Sequence, residues 1–308
     1  MHYDGKVYRP PFESNALLLQ VTVGCSHNDC SFCTMYRDVQ FRMEPLEQIS
    51  ADLDDAKAYC PDVKRVFLLS GDAFCLSSFK LQAIAKLIKQ KLPKVETIAM
   101  YASINNIKSK TDAELRMLRK LGINQLNIGL ESGVDEILKA MNKGFTAEDA
   151  ETQLVRLKNA GIEYGANIIF GLGGPELSRE HAIKTAQILN KAHPFILFTG
   201  TIHATPGCPL YEQMQSGEFK ECTMGQYLDE EEIFFQHLDI DQCFMFGLHP
   251  SNAIRLQGWL GRDREKLLEF IAERRNSLTP KQLNSIPKRK GEGGIVDDEE
   301  ESETKTEE

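Results

Sequence analysis

Leu17-Leu18-Leu19-Gln20-Val21-Thr22-Val23 runs directly into Gly24-Cys25-Ser26-His27-Asn28-Asp29-Cys30-Ser31-Phe32-Cys33. The apolar run reads as a buried strand. The loop after it carries three cysteines, spaced by four residues and then by two. Three thiolates on one loop suit three irons of a cubane 4Fe–4S cluster and leave the remaining iron without a protein ligand. An open coordination position separates catalytic from structural metal sites, as zinc shows. Gly24 and the polar Ser26, His27 and Asn28 suit a loop that wraps a cluster and turns amides toward its sulfurs. Three other readings of the same residues stay open at this level. The loop can be a zinc knuckle with His27 as fourth ligand, an electron-transfer site completed by a distant cysteine, or a set of unligated thiols.

Outward from this loop, apolar runs alternate with amphipathic stretches. Buried strands are expected at Leu17–Val23, Val66–Ser70, Thr97–Ala102, Gln125–Leu130, Tyr164–Phe170 and Phe195–Thr201. Between them the pattern predicts helices. One begins near Pro45 with Leu46, Ile49 and Leu53 on one face; others span Ser77–Lys91, Thr111–Leu121, Val134–Met141, Thr146–Ala160 and Glu176–Ala192. Thr111 three residues before Glu114 is a capping-box signature, and Gly161 stops the helix before it. Six strands with helical crossovers imply a parallel α/β sheet, either doubly wound or curled into a partial barrel. In both, chemistry belongs at the carboxyl ends of the strands. After residue 204 the rhythm breaks into loops, a strand and terminal helices.

The chain has 308 residues, 42% hydrophobic and 26% charged, enough to bury a large core without disulfides. Of its net charge of −9, −8 lies in residues 292–308, which read as a solvated, disordered acidic tail. The rest is nearly neutral and shows no gross basic balance toward nucleic acid, so a nucleic-acid partner is not expected. No run of 18 apolar residues is present and the N-terminus lacks a secretory pattern. A reducing, cytoplasmic setting is the expectation, with the eight cysteines as thiols or metal ligands. Cys208, Cys222 and Cys243 are the first suspects for an auxiliary cluster, against a role as buried thiols.

A cysteine triad after the first strand of such a pattern resembles the radical S-adenosylmethionine (radical SAM) superfamily over about residues 17–210. The usual first gap in that family is three residues, one fewer than here. Four further stretches share the resemblance. Ser70-Gly71-Asp72 follows the second strand and resembles the motif that binds the methionyl amino group. The segment IGLESGVDEILKAMNKGFT resembles the coproporphyrinogen-oxidase-like and methylthiotransferase-like members. There Glu131 falls where a carboxylate holds the ribose hydroxyls, and Lys143 where a base faces the cofactor carboxylate. ANIIFGLGGPE resembles the glycine-punctuated fifth motif, with Asn167 and Gly171 at cofactor-contacting positions and Ile168 as an apolar wall against the adenine. TPGCPLYE resembles the turn that closes many of these barrels. Phe32 matches an aromatic position set against the adenine.

The resemblance implies a partial (β/α)6 TIM-like barrel over residues 1–210, a C-terminal helical and loop extension over 211–287 covering the barrel, and a disordered acidic tail over 288–308. It implies a 4Fe–4S cluster on Cys25, Cys30 and Cys33, and S-adenosyl-L-methionine as co-substrate. A low-potential electron donor, flavodoxin or ferredoxin, and a small-molecule substrate would be its partners. His203 and His249 are the candidates for substrate contact or proton donation, and the stretch 243–262 is expected to lie over the open side of the barrel. A haem- or cluster-trafficking protein on the same fold, without turnover, is the alternative; a zinc-stabilised interaction module is a remote third.

Overall fold

The computed structural model describes residues 1–290 and 293–295. Eight strands form one sheet, and they neighbour each other in chain order. They are β1 (Leu17–Gln20), β2 (Arg65–Leu69), β3 (Thr97–Ala102), β4 (Ile123–Glu131), β5 (Tyr164–Phe170), β6 (Ile196–Thr201), β7 (Phe244–Gly247) and β8 (Leu256–Trp259). β1 and β2 pair in parallel from Leu17↔Val66 to Gln20↔Leu69, and β2–β3 and β3–β4 continue in the same sense. This sequential parallel order, with helices between the strands, is that of a partial (β/α)6 TIM-like barrel.

The strands form where the apolar runs lie, because a strand covered on both faces needs no alternation. The first run is divided, however. Thr22–Val23 leaves the main sheet after Val21 and pairs antiparallel with Arg42–Met43. That division turns the chain out of the sheet at the cysteine loop.

The described residues form two compact units, one of 1–130 with 143–166, the other of 131–142 with the described residues from Asn167 onward. In the first, Phe67, Leu69 and Ala99 make a core cluster against which Ala16, Leu18 and Tyr101 pack. Its helices α1 (Leu46–Tyr59), α2 (Ser78–Lys91), α3 (Ile104–Lys108) and α4 (Asp112–Lys120) bury Ile49, Leu53, Leu81, Ile84, Leu115 and Leu118. Leu46, expected on the buried face of α1, is exposed; it is the first helical residue and sits before the covered stripe begins. Thr111 and Glu114 exchange backbone bonds as a capping box at α4.

The second unit contains α5 (Asp135–Ala140). The next helix, α6 (Ala147–Ala160), belongs to the first unit and ends on Gly161 at φ +74. The second unit then carries α7 (Gly174–Ala192), α8 (Pro209–Ser216), α9 (Met224–His237), α10 (Arg264–Ser277) and α11 (Pro280–Leu283). Phe170 meets Phe234 of α9 edge-on, ring centroids 5.4 Å apart.

The stretch 243–262 adds two strands to the sheet: β7 runs parallel to β6, with Ile196↔Phe244, and β8 returns antiparallel, with Leu256↔Gly247. Between them Asn252 accepts the Thr201 N–H at 2.8 Å and donates to the Thr199 and Gly247 carbonyls. Such a buried amide is costly unless its partners are supplied, and here they tie the loop to β6. Of the expected acidic tail, Arg289–Lys290 pairs antiparallel with Gly294–Ile295. Residues 291, 292 and 296–308, which hold most of its charge, lie outside the described residues. No helix among the described residues is long and apolar enough to cross a membrane.

Candidate functional site

In the first unit the three cysteines share one loop, each partly exposed. Gly24 takes φ +78, and an added Cβ there would press on the Val39 side chain and carbonyl at 3.3 Å. The Asn28 N–H points at Cys25 Sγ from 3.5 Å, the amide-to-sulfur arrangement that tunes a bound cluster. Arg37 braces the far half of the loop, donating to the carbonyls of both Cys30 and Cys33. Five fixed donors on a planar fork suit that task better than an ammonium.

The turn after β2 forms the floor of this loop. Gly71 donates its N–H to the Gly24 carbonyl at 3.0 Å. A Cβ on Gly71 would lie 2.6 Å from Cys25 Cβ and 3.1 Å from its sulfur, so only glycine allows this approach. Ser70, at φ +85, is buried and donates its hydroxyl to the Thr22 carbonyl. Asp72, 3% exposed, accepts the Ser26 N–H at 2.8 Å and the Ser26 hydroxyl. Burial raises its carboxyl, and the Ser26 donors oppose that shift. Its carboxylate therefore anchors the cysteine loop, a job the sequence pattern did not reveal. Asp72→Ala removes both bonds to Ser26, and about 2 kcal/mol of loop stability goes with them. The expected outcome is a severalfold fall in iron bound per chain after anaerobic reconstitution; undiminished iron would show that the anchor is dispensable.

The donor set fits a cluster. Burial, with the Asp72 charge second, pushes the Cys25 thiol up to about 11; coordination to iron removes that proton, as a bound metal does for any ligating thiol. No group of three or more His, Cys, Asp or Glu side chains among the described residues converges on a single-ion position. The three cysteines on this one loop can each meet a different iron of a cubane. Gly144 packs its α-carbon side toward the His27 ring, and Lys143 extends over Phe32, its Nζ 5.6 Å from the ring centroid. Two of the sequence-identified positions thus lie against each other.

In the second unit, β4 ends on Glu131, buried at φ +62. Gly171, after β5, has φ +84, and a Cβ there would collide with the Tyr227 ring on α9. Ile168 is buried and Asn167 partly exposed on β5. His203 follows β6 and borders a cleft of about 740 Å³, together with Tyr211, Met214, Lys220, Glu221 and Arg289. Burial, then the Arg289 charge, lowers the His203 imidazole below its ordinary range. Arg289 pairs with Glu221 at 3.0 Å and donates to the Ser251 carbonyl, while exposed His249 bonds the Ser251 hydroxyl at 2.8 Å. Both histidines therefore belong to one polar cluster, with Gly293 packed on the His203 ring.

Among the described residues no disulfide joins any cysteines. Cys208, Cys222 and Cys243 are each buried. Burial alone pushes the Cys243 thiol up to about 12. They pack among the core side chains as small apolar residues do.

The model of the Radical SAM superfamily matches residues 19–189, more than half of the chain, and the protein belongs to that superfamily. Its cofactors are a 4Fe–4S cluster and S-adenosylmethionine, and its members require a reductant and a substrate. Among curated relatives, heme chaperone HemW of Bacillus subtilis (strain 168) is 24% identical over 223 residues, 70% of this chain and 58% of HemW. The chain thus spans little more than half of that relative. Among solved structures, methylornithine synthase (PylB) superposes with a TM-score of 0.51 at 15% identity, covering 83% of this chain and 68% of that one. The radical S-adenosylmethionine methyltransferase TsrM from Kitasatospora setae gives 0.54 at 18% identity, over 67% and 39%. Both likenesses show the shared fold.

Proposed function

We propose that the chain is a radical SAM enzyme acting on a small molecule. Cys25, Cys30 and Cys33 would hold the cluster and leave one iron position open to S-adenosylmethionine. With both bound, the pair would supply one-electron reductive cleavage of the sulfonium C–S bond, fed by a flavodoxin or ferredoxin, for hydrogen-atom abstraction from the substrate. The observation that carries this reading is the seating of Cys25 on Gly71, with Asp72 bound to Ser26.

The remaining work belongs to the chain's own side chains. Glu131 accepts the ribose hydroxyls. Lys143 supplies positive charge for the cofactor carboxylate without an arginine's two-pronged grip. Phe32 and Ile168 give apolar surface to the adenine; Asn167 and Gly171 offer polar and backbone contacts. Ser70 and Gly71 present backbone to the methionyl amino group, beside Asp72. His203 borders the cleft in the second unit, His249 bonds the Ser251 hydroxyl, and the two are the candidates for substrate contact.

Anaerobic incubation with S-adenosylmethionine and a low-potential reductant is expected to yield 5′-deoxyadenosine. Glu131→Ala is expected to raise the Kd for S-adenosylmethionine about tenfold or more, the cost of a lost charged acceptor. An unaltered Kd would remove Glu131 from the site.

The likeness to HemW favours a second reading, in which the same cofactor site serves a haem- or cluster-carrying protein without turnover. Stoichiometric haem retention through gel filtration, with no 5′-deoxyadenosine formed, would select it over the enzyme.

A further inference from the structure

Inside the second unit, α7 and α9 carry a polar network that the sequence motifs do not contain. His181 on α7 and Glu230 on α9 are 1% and 0% exposed. Nδ1 of His181 lies 2.5 Å from Glu230 Oε1, and its Nε2 lies 3.0 Å from the Glu131 carbonyl oxygen. The Glu230 carboxylate also accepts the Gly171 N–H, at 3.1 and 3.2 Å to its two oxygens, and the Ser178 hydroxyl at 3.2 Å. One turn farther along α7, Thr185 Oγ1 accepts the Gly133 N–H at 2.8 Å. A Cβ on Gly133 would lie 2.7 Å from the Lys184 backbone, so this turn is seated directly on the helix.

Both turns that the network grips are in left-handed backbone, Glu131 at φ +62 and Gly171 at φ +84. A glutamate held there is strained unless its surroundings impose the conformation. A buried histidine–carboxyl pair adds little stability by itself, since well-packed apolar residues do as well. What such a pair does supply is directional hold. We infer that His181 and Glu230 are positioning residues that lock the Glu131 and Gly171 turns in the conformation that binds S-adenosylmethionine. The inference rests on the reading that these turns hold that molecule.

The protons can be counted from the partners. Both ring nitrogens of His181 face acceptors, so the pair holds two protons between them. It is either imidazolium with carboxylate, or an Nε2–H imidazole with a carboxyl. Glutamine at 230 reproduces the second pattern. Its amide N–H donates to Nδ1, its oxygen accepts from Gly171 and Ser178, and Nε2–H still reaches Glu131. Methionine fills a similar volume and makes none of these bonds.

The test is equilibrium dialysis of S-adenosylmethionine against the full chain, reconstituted anaerobically, with iron and sulfide counted in each sample. Glu230→Met is expected to raise the Kd about tenfold or more at unchanged iron content, and Glu230→Gln to restore the parent value, in the range that orienting partners of bound groups command. Amide exchange should quicken at 131–134 and 170–174 in the methionine variant and not in the glutamine one. If the methionine variant fails to fold, His181→Asn carries the same test, because its shorter amide cannot serve both Glu230 and the Glu131 carbonyl. An unchanged Kd in the folded variant, or equal losses from glutamine and methionine, would overturn the inference. Glu131→Ala separates the two failures. If it binds normally, the cofactor reading falls; if it binds weakly while Glu230→Met does not, only the positioning role falls.

Discussion

Cys30→Ala is expected to purify colourless. Iron and inorganic sulfide should fall to near zero per chain after anaerobic reconstitution, the absorbance at about 400 nm should disappear, and no 5′-deoxyadenosine should form. The reason is the number of ligands. On the proposed reading, the three cysteines on one loop are the cluster's protein ligands. A cluster already short of one protein ligand has no spare sulfur to lose. The fold should survive, because Cys30 is partly exposed on a loop rather than packed in the core. Circular dichroism like that of the parent, together with absent iron, is the expected pair of results. An iron-replete variant with full 5′-deoxyadenosine output would refute the assignment.

Gly71→Val is expected to produce the next largest effect by a different route. Here no ligand is lost, but the surface beneath one is raised. The new Cβ would sit 2.6 Å from Cys25 Cβ and 3.1 Å from Cys25 Cα, distances that side chains do not tolerate. The obstructing atoms include backbone, so a rotamer change gives no relief. Either the turn withdraws from the loop or the loop lifts from the turn. Both break the Gly71 N–H to Gly24 carbonyl bond and carry Asp72 away from Ser26. Iron content is expected to fall about tenfold, with a loss of roughly 2–3 kcal/mol in stability measured by urea unfolding of the cluster-free chain. Gly71→Ala should fall between valine and the parent. Full cluster content in the valine variant would mean that the loop does not rest on this glycine.

The strands were legible because the covered parallel sheet writes itself as apolar runs. Thr97–Ala102 and Tyr164–Phe170 appear with the bounds that their side chains predict, and the other four shift by a few residues. Cap signals were equally direct at Thr111 and Gly161, where a single residue type satisfies a single backbone need. The cysteine loop was legible for the same reason: its chemistry lies within nine residues.

What stayed hidden joins distant parts of the chain. Asp72 reads as part of a glycine turn until the structure brings it to Ser26, 46 positions away. His181 and Glu230 are 49 positions apart, and neither belongs to a recognised motif. One signal was present: Ser178, His181 and Thr185 put a polar stripe along a buried face of α7, where apolar residues belong. A polar stripe on a core face requires partners, and those partners turned out to be the two turns that end β4 and β5. Of the β7–β8 hairpin the sequence shows only a strand somewhere after residue 204, and nothing local fixes that it extends the sheet.

The central claim is a cluster held by three cysteines with one iron open to S-adenosylmethionine. Electron paramagnetic resonance of the reduced, reconstituted chain, recorded with and without S-adenosylmethionine, tests it most directly. The account predicts a 4Fe–4S signal whose g-values shift when the nucleotide is added, because a ligand has entered at one iron. A signal that the nucleotide leaves unchanged, or no iron–sulfur signal after reconstitution, would contradict it.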